Sequence, residues 1–178
     1  LISSRQGLLG CSASSYPEGE GVYVEMLRLH RDVKGSAKYI EPTIARIVAM
    51  SERHGGDAVW LSQHVWNLFA QRSPLLGLWV RIDGGDEVVG HLVGTIQQWD
   101  GENVAWVHQA ENDGPPLSQD WWNTCMSELS RWVGEVNVSL PKEMTWVRRI
   151  LFSTPHDPKV FERRAGFRVY RTLMEKRV

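Results

Sequence analysis

Apolar residues recur with two different periods along this chain, and the switches between them mark its elements. Val22-Tyr-Val-Glu-Met-Leu-Arg-Leu29 sets Val22, Val24 and Met26 two apart, the spacing of a half-buried strand. From about Ser36 the period lengthens. Ile40, Ile44, Ile47 and Val48 recur at helical spacing until Gly55-Gly56 stops the run. Pro42 is expected in the first turn of this helix, where a missing amide is tolerated. A second helix is predicted from about Leu61, with Leu61, Val65, Leu68 and Phe69 on one stripe, ending near Ser73-Pro74.

Three β-rich runs follow, over residues 76–82, 88–98 and 103–109, separated by Asp83-Gly-Gly-Asp86 and Asp100-Gly101. Asp-Gly pairs supply the positive φ angles of tight hairpins, so the runs are expected as an antiparallel meander. Ser118 then caps a helix whose apolar positions are Trp122, Cys125, Met126, Leu129, Trp132, Val133 and Val136. Residues 144–152 are expected as another strand. A short helix follows, with Asp157 as cap, Pro158 in first position and Gly166 at its end. Phe167, Val169 and Tyr170 begin a last strand, with Arg168 and Arg171 between them. The order strand, two helices, three strands, helix, strand, helix, strand predicts an α+β fold with a mixed, mostly antiparallel sheet.

The 178 residues suffice for one domain with a substantial core. Residues 1–21, rich in Ser and Gly, read as an N-terminal arm, and 22–178 as the domain. A net charge of −1 gives no whole-chain attraction to nucleic acid or membrane, and no apolar run is long enough to span a bilayer. Cys11 and Cys125 are too few and too far apart for a disulfide framework or a metal spacing, which suits a reducing cytoplasmic setting. Cys125, on an apolar helix face, is expected to be buried and inert. Six histidines include no H-E-x-x-H pair, and no G-x-S-x-G elbow occurs. Nine tryptophans are many for this length; most are expected in the core and the surplus on a partner surface. Arg148, Arg149, Arg163, Arg164, Arg168, Arg171, Lys176 and Arg177 make the C-terminal quarter basic. A solvated sheet edge explains this best, with nucleic acid or an acidic protein partner as runner-up.

The passage Val160-Phe-Glu-Arg-Arg-Ala-Gly-Phe167 resembles the "F-Y-E-x-x-G-F" helix-to-strand closure of the GNAT acyltransferase superfamily. The resemblance covers roughly residues 22–178 and implies a GNAT-like α/β sandwich, its central sheet flanked by helices on both faces. It also implies acyl-CoA in a cleft where the fourth and fifth strands splay, with the pyrophosphate on a "Q/R-x-x-G-x-G/A" loop. Such loops bring unpaired amides of a helix N-terminus close to an anion.

Here the corresponding residues are Ala110-Glu-Asn-Asp-Gly-Pro-Pro-Leu117. Gly114 alone remains of the glycines, Pro115 and Pro116 each remove an amide, and Glu111 and Asp113 add negative charge. If acyl-CoA binds, Gly114, Leu117, Ser118 and Gln119 are the positions that would hold it. The family's tyrosine acid falls at Phe161, which has no hydroxyl to donate. His108 and Glu111 are the candidates for a general base, against the blander readings of a hydrogen-bonded strand residue and a surface loop residue.

Two functions are therefore weighed. The first expectation is a GNAT-like domain without cofactor, acting through a protein partner or self-association. Degenerate members of this superfamily occur in bacteriophages, virion components among them. The alternative is an acetyl-CoA-dependent N-acetyltransferase with a rebuilt loop.

Overall fold

The computed structural model describes residues 14–18, 22–30, 35–54, 56–112, 119–141, 146–152 and 163. Its elements are β1 (Ser14–Glu18), β2 (Val22–Arg28), α1 (Ala37–His54), α2 (Ala58–Ala70), β3 (Leu76–Ile82), β4 (Val88–Trp99), β5 (Glu102–Asn112), α3 (Gln119–Ser139) and β6 (Ile150–Phe152). The strands form one six-stranded sheet in chain order. β1–β2 and β2–β3 are antiparallel and β5–β6 is parallel, so the mixed α+β class follows expectation. The closing helix and strand expected after residue 157 lie outside the described residues, Arg163 apart.

β1 falls inside the stretch read as an arm. It pairs with β2 from Ser14 opposite Met26 to Glu18 opposite Val22. Its Ser-Ser-Tyr-Pro-Glu sequence carries no alternating pattern; backbone pairing makes the strand, and Pro17 is compatible with a sheet edge.

The chain divides into two compact units. The first comprises Leu1–Ser73, Leu78–Leu92 and Glu111–Gly114. In it α1 buries Tyr39, Ile40, Thr43, Ile47 and Ser51, a stripe at three- and four-residue spacing. Pro42 is in the second turn rather than the first, so the Lys38 carbonyl loses its amide partner. Both residues are solvent-exposed, where water replaces that bond. α2 begins three residues earlier than its apolar stripe suggests, because the Asp57 carboxylate caps it by accepting from the Trp60 amide at 2.8 Å.

The β3–β4 turn is tied to α1. Asp86, at φ 69°, accepts hydrogen bonds from the Lys38 ammonium and the Tyr39 hydroxyl. Lys38 first, then Tyr39, holds the Asp86 carboxyl below its ordinary range, and burial first, then Asp86, raises the Tyr39 hydroxyl. A depressed carboxyl stabilises the fold above its unfolded value, near 3.8, and loses that contribution as pH falls through the lower folded value. The Tm difference between wild type and Asp86→Asn should therefore be constant through neutral pH and close in acid. A difference that widened in acid would contradict this linkage.

The second unit comprises Pro74–Gly77, Val93–Ala110 and Pro115–Val178. Asp100 and Gly101 have φ of 51° and 77°, the left-handed pair of a two-residue hairpin that folds β5 back along β4. α3 buries Cys125, Leu129, Trp132 and Val136, as its stripe predicts, and Cys125 is a free thiol. Trp132 has no exposed surface, and its indole N–H donates to the Pro74 carbonyl at 3.0 Å. Gly94 makes room for that ring: a Cβ there would sit 3.1 Å from the Trp106 carbonyl and 3.5 Å from Trp132.

β6 is shorter than the strand expected over 144–152. The Asn137 side chain donates to the Val147 carbonyl at 3.0 Å and accepts from its amide at 2.7 Å. Val147 thus spends both peptide groups on α3, and strand pairing begins only at Ile150, opposite Ala105.

Candidate functional site

β5 carries both candidate bases, and the structure gives them different surroundings. Glu111, the last residue but one of β5, lies beside α1. Arg46 and Arg53 are seven residues apart, two helical turns, and so project from one side of α1 toward it. Arg46 Nη2 lies 3.2 Å from Glu111 Oε2, and Arg53 donates to Oε1. The fully buried His91, on β4, places Nδ1 3.5 Å from Oε2. Only 9% of the Glu111 side chain is exposed, so each oxygen of a nearly buried carboxylate is held by a guanidinium.

The backbone around Glu111 is also close-packed. A Cβ on Gly90 would sit 2.7 Å from the Glu111 carbonyl oxygen and 3.3 Å from the Arg81 Cβ, so only glycine fits without a shift. Arg81, itself 3% exposed, donates to the Asn112 side-chain carbonyl. Glu111 is thus an anchor that joins α1 to the sheet within the first unit, rather than the surface loop residue of the blander reading.

His108 lies three residues before Glu111, and an odd spacing along a strand directs the two side chains to opposite faces. In the second unit, His108 Nε2 is 2.8 Å from the hydroxyl of the buried Thr95. Which of the two donates depends on the tautomer. His108 is thus half-buried and hydrogen-bonded to Thr95, whereas Glu111 is engaged by two arginines.

Gly114, Leu117 and Ser118, expected to hold a pyrophosphate, lie outside the described residues, and Gln119 opens α3. Phe161 and Tyr170 also fall outside them. Of residues 110–117, only Ala110, Glu111 and Asn112, at the end of β5, are described. Glu111 presents a carboxylate, and the nearby cations Arg46 and Arg53 are turned onto it.

The Arg46–Arg53–Glu111–His91 cluster was not foreseen from the sequence. The seven-residue spacing of two arginines on one helix was its visible trace. Among the described residues no group of three His, Cys, Asp or Glu could hold a metal ion, and no helix is long and apolar enough to cross a membrane.

No protein-family model matches the sequence, and no curated protein matches it significantly. Solved structures do match. A Pyrococcus furiosus protein provisionally named an acetyl transferase superposes with a TM-score of 0.59 at 12% identity, covering 87% of this chain and 99% of its own. AAC(6')-Iy, solved with the bisubstrate analogue CoA-S-monomethyl-acetylneamine, gives 0.55 at 11% identity, over 87% and 98%. The aminoglycoside acetyltransferase meta-AAC0020 from an uncultured soil sample, solved with sisomicin, gives 0.52 at 11% identity, over 87% and 94%. Identities this low establish architecture alone: the chain has the fold of the GNAT acetyltransferases.

Proposed function

We infer that this chain is a GNAT-fold domain that has lost acyl-CoA chemistry and works through protein contacts. The observation that carries the reading is the double ion pair on Glu111. Beside the corner where the fold would seat a diphosphate, two basic side chains of α1, Arg46 and Arg53, are engaged by a carboxylate of the protein's own. The adjoining sequence supports the same reading, since Asp113 adds a second negative charge and Pro115 and Pro116 remove amides. Phe161 supplies no proton donor. For the contact function, the support is apolar surface: Trp60, Trp66 and Trp146 are all exposed.

A second reading is favoured by one comparison. AAC(6')-Iy holds a CoA-containing analogue on this architecture. An N-acetyltransferase built on the present chain would use His108 as its base. Its cofactor loop would be rebuilt around Gly114, Leu117, Ser118 and Gln119.

Calorimetric titration with acetyl-CoA separates the two. The contact reading predicts no saturable heat. Saturable binding, together with release of free CoA that His108→Ala abolishes, would replace it with the second.

A further inference from the structure

The anchor on Glu111 includes one side chain whose charge depends on pH. His91 of β4 has no exposed side-chain surface, and its Nδ1 lies 3.5 Å from Glu111 Oε2. Histidine is the side chain whose charge ordinarily changes near neutrality, whereas carboxylates and guanidiniums ordinarily keep theirs there. The state of the ring therefore decides how many charges the joint between α1 and the sheet must hold.

Among the described residues, the charges around the ring come from three elements. Glu111 of β5 brings one negative charge, and Arg46 and Arg53 of α1 bring two positive ones onto it. Arg81 of β3, close against Gly90 beside His91, brings a third positive charge, turned onto Asn112. β4 itself carries no other charged side chain.

A cationic His91 would face Glu111 Oε2, and Arg46 Nη2 already lies 3.2 Å from that oxygen. Two cations on one carboxylate oxygen repel each other, and a ring without exposed surface has no water to screen them. Burial independently opposes the charged imidazole. Against these two effects stands the attraction of a single carboxylate that two guanidiniums already balance. The neutral ring is the form that fits the closed joint. Arg53, 56% exposed, marks the side from which water reaches the carboxylate when the joint opens.

We propose that His91 is an acid-sensitive release for this anchor: α1 is held to the sheet while the ring is neutral, and the ring gains its proton as the Arg46–Glu111 contact opens to water. The device goes beyond the contact reading and does not depend on it, since it acts with or without acetyl-CoA.

The sign follows from linkage. A histidine that stays neutral in the fold binds its proton more weakly there than in the unfolded chain, where it titrates near about 6.5. The stability it contributes is full above that value and falls as pH drops below it. Where one proton separates the two states, each pH unit shifts the unfolding equilibrium about tenfold. This window lies above that of Asp86, whose contribution is lost below 3.8.

Urea denaturation of wild type and His91→Gln between about pH 7 and pH 5 tests the proposal, because the amide cannot take up a proton in that range. From about pH 6 to pH 5 the unfolding equilibrium of wild type should rise close to tenfold more than that of His91→Gln. Native-state hydrogen exchange, corrected for its intrinsic pH dependence, should show α1 amides losing protection before those of β3. Imidazole nitrogen shifts in wild type give a readout that needs no substitution: His91 should still be neutral at about pH 5.5, a unit below the ordinary value. A His91 already protonated there would overturn the proposal. Equal pH dependence in wild type and His91→Gln, or α1 and β3 opening together, would overturn it as well.

Discussion

Glu111→Ala should lower the unfolding free energy by about 3 kcal/mol, the cost of removing one partner from a buried ion pair. The substitution leaves Arg46 facing a cavity in which its charge has lost its counterion. Arg53, more than half exposed, recovers water and contributes less to the loss. Glu111→Gln should fall between, since an amide keeps the acceptor oxygen but not the charge. Urea denaturation measures the effect as a lower midpoint at unchanged slope. A Glu111 poised as a free base would give the opposite pattern, with stability preserved and only chemistry lost.

A loss of about 4 kcal/mol is expected for Trp132→Ala, in the second unit. The indole is fully buried and occupies the space that Gly94 leaves open, so its removal creates a cavity the backbone cannot easily close. Its N–H bond to Pro74 is lost as well, leaving a carbonyl that water must reach to satisfy. Trp132→Phe keeps most of the apolar volume and should cost about half as much. Thermal unfolding followed by circular dichroism distinguishes the two. Equal, small losses in both variants would mean that α3 is not the packing centre of this unit.

What the sequence disclosed, and what it hid, divides along the range of the interactions. Asp100-Gly101 announced its hairpin because positive φ is a property of two adjacent residues. The α3 stripe was equally local, and the residues it buried are the residues its period selected. Glu111 was legible only as a candidate. Its partners lie 58 and 65 residues away, and no local pattern states that two arginines of α1 will close on it. β1 escaped because an edge strand needs only backbone pairing. The strand over 144–152 was overextended because Asn137, on another element, claims both peptide groups of Val147.

Everything proposed about function turns on whether the end of β5 accepts a diphosphate. Titrating acetyl-CoA into wild type and Glu111→Gln by calorimetry asks this directly. The prediction is no saturable heat from wild type at ligand concentrations up to about 1 mM, weaker than any useful cofactor affinity. Micromolar binding to wild type would contradict it, and would return this chain to the enzymes whose architecture it shares.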